Sequence, residues 1–451
     1  MASLTFYGGA GEIGGNKILL EDEGTRVYLD FGQSFDFGED YFYEYLQPRS
    51  ANGLECYFEF GLVPEVPKLY SKQMLRFTSL PYEKPDIDAV FITHHHSDHT
   101  GHLSFLDEDI PVYMGHCTHK ILEVYKELYR GLGDIGEHSN LNTFKSGDEI
   151  PIKHLTFRPV HVEHSTPGAY GYIIDSPDGS IVFTGDFRRH GPMKELTEDF
   201  INEAAKSKPY CMVCEGTRMT PDPEKQYTEE QVYEKVLGII EDSNGMVFGE
   251  FSMCNIDRFK SFYRAAIESG RKLVIDTKYA YILDSLKDKL GLPDVRTDEN
   301  LKVYYRLSKT CQFCETDYYK YEREYMKNMI TYKELKKNPK NYVMHTNFNK
   351  LMELIYLRPE KAEYIYSSSE HFLEGEDNKD QREVRDNWLK HFGITLHKAH
   401  CSGHAGKSDL EYAIKKINPE ILIPIHTQNP EEFEKIYENV RIPAKGGMIK
   451  V

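Results

Sequence analysis

The stretch Ile87-Asp88-Ala89-Val90-Phe91-Ile92-Thr93-His94-His95-His96-Ser97-Asp98-His99 decides the reading of this chain. Ile87 to Thr93 has the composition of a buried strand, and it opens directly into a His-x-His-x-Asp-His cluster. A short helix is expected next, over Thr100 to Leu106. His94, His96, Asp98 and His99 then sit on a strand-to-helix turn, where they can point at two adjacent metal ions. Imidazole and carboxylate ligands suit zinc, and a coordination position left open would bring the pKa of a bound water near neutrality. A bare run of three histidines is also compatible with a surface cluster. The weight lies on the spacing and on its place at the end of an apolar strand.

The chain has 451 residues, more than one ordinary core accommodates, so two domains or one domain with a large insertion are expected. Apolar residues make up 40% and charged residues 28%, which fits a folded, soluble protein. No run of eighteen apolar residues occurs, and Met1 to Tyr7 lacks a signal-peptide pattern, so no membrane partner and a cytoplasmic location are expected. The net charge of -17 excludes a protein that coats nucleic acid by bulk electrostatics. It leaves room for a local basic groove, or for metal ions that supply positive charge. Eight cysteines in this length are not a disulfide scaffold. Cys211 and Cys214 read as buried strand thiols. Cys311 and Cys314 lie in a polar, Tyr-rich segment where metal binding is the alternative reading, although neither pair has a partner pair at zinc-finger spacing.

Working outward, Thr25 to Phe31 reads as a strand. Ile173-Ile174 and Ser180 to Thr184 flank a Ser-Pro-Asp-Gly turn at 176–179, a hairpin signal. The rhythm changes after about residue 205. Thr228 with Gln231 forms a capping box, followed by Val232, Val236, Ile239 and Ile240 on one helical face. A strand at 246–251, a helix at 256–268 and a strand at 272–276 predict parallel βαβ units. Residues 315–345 resist assignment. Near the end, Lys407 to Ile417 reads as a helix and Glu420 to Ile425 as a strand. An α/β fold is expected, with residues 1–205 and 395–451 forming one split domain and 206–394 inserted into it. More ligands must come from other strand ends: His164 after the strand at 155–162, Asp186 after the hairpin, and His426 after the last strand. Each is weak alone, and together they complete the coordination.

This pattern resembles the metallo-β-lactamase superfamily over essentially the whole chain. The resemblance implies an αββα sandwich with two zinc ions per chain, or manganese in their place. The first would take His94, His96, His164 and Asp186. The second would take Asp98, His99, Asp186 and His426, with Asp30 in support. Cys214-Glu215-Gly216-Thr217, Ser402-Gly403-His404-Ala405 and His426 resemble the extra motifs of the β-CASP branch, whose members cut nucleic acids. Residues 206–394 would then be the inserted β-CASP domain, and a histidine at the third motif is what RNA-directed members carry.

Within that branch, Gly8 to Asn16, His164 to Pro167, Thr184 to Arg188 and His400 to Ala405 resemble the ribonuclease J family, in its short, archaeal-type form. Thr166-Pro167-Gly168 departs from the usual continuation of the His-Ser motif, and the Tyr- and Phe-rich insert at 35–75 has no place in the pattern. The resemblance implies hydrolysis of single-stranded RNA, 5′-to-3′ from a 5′-monophosphate, with endonuclease action besides, by a homodimer. Asp98 would orient the attacking hydroxide. His404 would protonate the leaving oxygen, and Glu215 would hold His404 and favour its charged form. His400, Ser402 and Gly403 are expected to bind the terminal phosphate, with Ser367, Ser368 and Ser369 as a second cradle. Ser252, Asn255 and Arg258 mark a helix N-terminus suited to a backbone phosphate, Arg258 being read as solvated. The competing readings are an endonuclease of mRNA 3′ ends and a non-catalytic RNA-binding paralogue. Such paralogues usually lose ligands, and all seven are present here.

Overall fold

The apolar runs that read as strands become three sheets in a computed structural model, which describes residues 2–129, 138, 140–221, 225–369 and 378–451. The first sheet takes β1 (Ser3–Gly8), β2 (Lys17–Asp22), β3 (Thr25–Phe31), β4 (Ala89–Ile92), β5 (Val112–Gly115) and β6 (Leu141–Phe144). The second takes β7 (Ile150–Ile152), β8 (Leu155–Val162), β9 (Ala169–Ser176), β10 (Gly179–Phe183) and β11 (Cys211–Glu215). The third holds β12 (Val247–Glu250), β13 (Lys272–Asp276), β14 (Leu301–Tyr304), β15 (Met329–Ile330), β16 (Tyr342–Thr346), β17 (Glu363–Tyr366) and β18 (Thr395–Lys398). The chain then returns. β19 (Ile421–Ile425) pairs parallel with β11, and β20 (Met448–Lys450) pairs antiparallel with β1.

The chain divides into two compact units. The first is Met1–Arg189, Met193–Glu224 and Gly403–Val451; the second is His190–Pro192 and Lys225–Ser402. In the first unit the inner faces of sheets one and two meet in a core that includes Phe6, Leu29, Phe91, Phe157, Tyr172, Phe183 and Ile423. Phe91 of β4 stacks on Phe157 of β8 with ring centroids 4.0 Å apart. Helices Lys194–Ser207 and Lys407–Ile417 cover the outer face of sheet two through Phe200, Ile201, Ala413 and Ile414. The outer face of sheet one receives helix His116–Leu128 through Leu122, and also the 35–75 insert, whose Leu54, Phe58, Val63, Leu69 and Tyr70 are buried there. The layers are helix, sheet, sheet, helix, as expected.

Three expectations shift. β11 hydrogen-bonds to β10 and β19, so the first segment of this unit runs to 224 rather than 205. β18 pairs with β17 in the third sheet, so the returning segment starts at Gly403 rather than 395. The helix after the histidine cluster begins earlier and is shorter, at Ser97–Thr100, with a separate 3-10 turn at Leu103–Phe105. The Thr100 hydroxyl donates to the carbonyls of His95 and His96, local bonds that compete with helix propagation ahead of Gly101.

Every strand pair among the described residues of the second unit is parallel, as its βαβ rhythm predicted. The Thr228–Gln231 capping box starts helix Glu229–Asp242. Cys211 and Cys214 are buried in β11, where burial pushes the Cys211 thiol up to about 12. Cys311 and Cys314 are exposed, and no group able to hold a metal includes them among the described residues. Among the described residues no helix is long and apolar enough to cross a membrane.

Phe91→Ala removes a fully buried ring from between the sheets. It is expected to cost about 3–5 kcal/mol, read as a fall in the denaturant midpoint of the first unit's unfolding, and Phe91→Leu should cost less.

Candidate metal centre

The site is assembled at strand ends in the first unit. Asp30, near the end of β3, is fully buried with a left-handed φ of 58°. Its carboxylate accepts the Thr93 backbone N–H at 2.7 Å and lies 2.7 Å from Nδ1 of His99. That contact fixes the His99 ring, whose Nε2 faces Asp98 at 3.4 Å and Asp186 at 3.1 Å. Burial alone would lower the pKa of His99; the carboxylates of Asp186, Asp98 and Asp30 outweigh it and raise it well above the usual value.

One group of ligand atoms consists of three imidazoles. Nε2 of His94 lies 2.9 Å from Nδ1 of His96, and Nε2 of His164 lies 3.3 Å from that same atom. Burial holds all three pKa values down, His96 to about 4, so the rings are neutral and their lone pairs are free to ligate. Nitrogens about 2.0–2.1 Å from one zinc ion would stand roughly 3.3 Å apart in a tetrahedron, close to what is seen. Nδ1 of His164 donates to the Gly403 carbonyl at 2.6 Å, which leaves its Nε2 as the inward acceptor.

The second group is Asp98, His99, Asp186 and His426, all buried. Nε2 of His426 stands 2.9 Å from Asp98 and 3.8 Å from Asp186. Asp186 Oδ2 also lies 3.8 Å from Nε2 of His94, which joins the two groups. Burial opposes the charge on Asp98 and Asp186, but the surrounding histidines, His99 and His426 foremost, hold both carboxyls well below the usual range. The other oxygen of Asp186, Oδ1, is buried without a hydrogen-bond partner. An anionic oxygen in that state is costly unless a cation sits against it. The donor set and that orphaned oxygen fit a metal pair.

Beside these groups, Nδ1 of His404 lies 3.4 Å from Glu215 and 3.8 Å from Asp186. Glu215 is fully buried and accepts the backbone N–H of Thr217 at 3.0 Å and of Phe187 at 3.3 Å. Burial would lower the pKa of His404; Glu215 and Asp186 together outweigh it and raise it. Asp186, Glu215, His404 and His426 are themselves close enough to hold a cation.

Thr217 and Asn16 lie in motifs quoted above, but the sequence assigned neither of them a role. The Thr217 hydroxyl touches Nδ1 of His426 at 2.7 Å and Nδ1 of His404 at 3.1 Å, linking a ligand to the His404–Glu215 pair. Asn16 donates its backbone N–H to the Asp98 carbonyl and accepts from Gly32, so the Gly8–Asn16 loop clamps the histidine turn. A Cβ on Gly32 would lie 1.7 Å from that same carbonyl, which restricts the position to glycine.

The residues expected to bind phosphate fare differently. Ser367 is buried, donates to the Ala399 carbonyl and accepts from Arg258, so its hydroxyl is already committed and does not form a cradle. Ser368 and Ser369 are half-buried in the same unit. Arg258 is fully buried against Glu229 instead of solvated, and Nδ1 of His400 lies 3.4 Å from it. The Ser402 carbonyl contacts Nε2 of His190 at 2.8 Å. Gly403 positions the ring of His164 through its carbonyl.

Residues 63–233 match the beta-lactamase superfamily domain. Over 442 residues the chain is 23% identical to ribonuclease J of Mycoplasma pneumoniae, covering 93% of this chain and 67% of that protein. It is 24% identical over 438 residues to ribonuclease J of Methanocaldococcus jannaschii, covering 93% and 90%. This is a metallo-β-lactamase-fold protein distantly related to ribonuclease J. A crystal structure of a protein of unknown function from Enterococcus faecalis superposes with a TM-score of 0.76 at 24% identity over 99% of both chains, so the two share a fold along their length.

Asp186→Asn is expected to lower the metal content of the purified protein, measured by plasma mass spectrometry. Asp30→Asn, which leaves the ligands in place but frees His99, should weaken metal affinity about 10–100-fold.

Proposed function

We propose that the chain is a metal-dependent ribonuclease that hydrolyses phosphodiesters of single-stranded RNA from a 5′-monophosphorylated end, with the inserted segment 225–402 as its β-CASP domain. The observation that carries this reading is the His404–Glu215 pair set against two ligand groups on an αββα sandwich. The bacterial and archaeal relatives that match along 93% of the chain are both named ribonuclease J.

His94, His96, His164 and Asp186 would hold one ion, and Asp98, His99, Asp186 and His426 the other; nitrogen and carboxylate donors favour zinc, with manganese as the alternative. Bound there, the ions would activate water and stabilise charge on the phosphoryl oxygens. The protein's own residues do the rest. Asp98 aligns the nucleophile. His404, kept protonated by Glu215, donates a proton to the leaving oxygen, and Thr217 fixes His404 relative to His426. The raised pKa of His404 favours its acid form, as a general acid requires. Ser402 and His400 remain the proposed contacts for the terminal phosphate, together with Ser368 and Ser369; Gly403 serves the ligand shell.

The test uses zinc- or manganese-loaded protein with 3′-labelled RNA bearing a 5′-monophosphate, and with its 5′-hydroxyl and DNA counterparts. Mononucleotides released from the phosphorylated end are the expected result. Internal cuts alone would identify an endonuclease, and no cleavage with either metal would refute both. His404→Ala should slow cleavage about 100-fold or more while leaving metal content unchanged. Loss of metal in that variant would make His404 a ligand.

A further inference from the structure

The 35–75 insert does more than cover sheet one. Its first half builds a surface of exposed rings in the first unit: Tyr45 is 99% exposed, Tyr43 74% and Leu46 68%. The reciprocal backbone bonds between Tyr43 and Leu46 close a tight turn, so Tyr45 is presented rather than merely loose. Tyr41 and Phe60 stack at 4.2 Å and 15°, both partly exposed. Below them lies a cavity of about 290 Å3 lined by Phe37, Phe42, Tyr57 and Phe105, with Gln47 and Glu39 among its polar members. That volume is at the lower edge of small-molecule sites and suits one long side chain. Apolar surface of this kind on a folded protein marks an interaction site.

The charge around it selects the partner. Asp36, Glu39, Asp40, Glu44 and Glu59 are all exposed along this stretch, and Arg49 is the one exposed cation among the described residues from 35 to 60. Five carboxylates repel a phosphate backbone, so the rings are not a platform for RNA bases. They attract a cationic polypeptide. An aromatic-lined cavity with a carboxylate in its wall is the chemistry that recognises an arginine: the rings take the stem and the face of the guanidinium, and the carboxylate takes its N–H groups.

We propose that residues 33–60 together with Phe105 form a docking site for a basic, extended segment of a partner protein, with one arginine of that segment entering the cavity. The surface begins beside the metal centre: a Cβ placed on Gly14 would lie 2.8 Å from Cβ of Asp98 and 3.0 Å from the ring of Phe35. A partner held there would sit at the edge of the candidate active site. The surface contributes no metal ligand, so binding to it does not depend on the ribonuclease reading.

The experiment titrates the full-length protein into a fluorescein-labelled Arg-Pro-Arg-Leu-Pro-Arg peptide, its Glu-for-Arg counterpart and a labelled oligouridine, followed by anisotropy, with sedimentation velocity in parallel. Saturable binding of the basic peptide alone is expected. Glu39→Lys with Asp40→Lys, or Tyr45→Ala, should weaken it tenfold or more. Glu434→Lys with Glu438→Lys makes the same change of net charge on the segment that covers sheet two, and should alter binding less than twofold. All these positions are exposed, so folding is preserved. Equal weakening by both charge reversals would reduce the effect to bulk electrostatics and overturn the proposal. So would oligouridine binding that Tyr45→Ala abolishes, self-association lost in the same variant, or no peptide binding.

Discussion

Burial of Asp98 and Asp186 together is the constraint on which the rest of the first unit depends. Two carboxylates taken out of water beside one another repel each other and lose solvation, and an interior tolerates them only with compensating positive charge. His99 and His426 supply part of it, and Asp186 still keeps one oxygen without a partner. The arrangement around them is correspondingly rigid. Asp30 locks His99, Gly403 locks His164, Thr217 locks His426, and the Gly8–Asn16 loop clamps the backbone of Asp98 and of His426. Each lock sits behind a ligand and orients one nitrogen or oxygen inward. Side chains oriented in this way could hold metal ions.

The fold explains how residues from 30 to 426 reach one place. β3, β4, β8, β10, β11 and β19 all deliver their C-terminal ends to the same region, and the candidate ligands and their supporting residues lie at or just beyond those ends. Left-handed backbone at Asp30 and His426 turns two of them inward, at φ 58° and 52°. Non-glycine residues adopt that conformation at a cost, which the surrounding hydrogen bonds must offset.

Much of this was legible because strand-end histidines and aspartates announce themselves in the chain. The His94–His99 spacing marked the turn, and His164, Asp186 and His426 followed apolar runs whose ends were plain. The supporting residues were hidden for a physical reason: they act through backbone groups or a single hydroxyl. Nothing in the residue type of Asn16 or Gly403 reports that a main-chain group is the functional one, and the motif that contains Thr217 does not say what its hydroxyl touches. Domain boundaries slipped for a related reason. β11 and β18 are alike as short strands, and which sheet each joins depends on pairings far away in the sequence. Ser367 misled in the opposite sense, since a serine triplet reads as a phosphate cradle while the first hydroxyl is consumed inside the second unit.

That internal use of Ser367 bears on how an insertion can be tolerated in the middle of another folded unit. The second unit enters at Lys225 and leaves at Ser402. Glu229, just after the entry, holds the buried guanidinium of Arg258 through both its oxygens at 2.8 and 3.1 Å. Cys401, just before the exit, donates its thiol to the same carboxylate at 3.1 Å, and Arg258 also reaches the Ser367 hydroxyl at 2.7 Å. One buried ion pair therefore ties the first helix of the unit, its second helix, the end of β17 and the departing chain. Removing either partner would strand a charge in the interior, a loss of about 3–5 kcal/mol, so the pair is costly to break even though an apolar substitute could match its stability. Its contribution is geometric. It holds the entry and exit of the unit together, and a unit whose ends are adjacent can be spliced between two strands of another sheet without prying them apart.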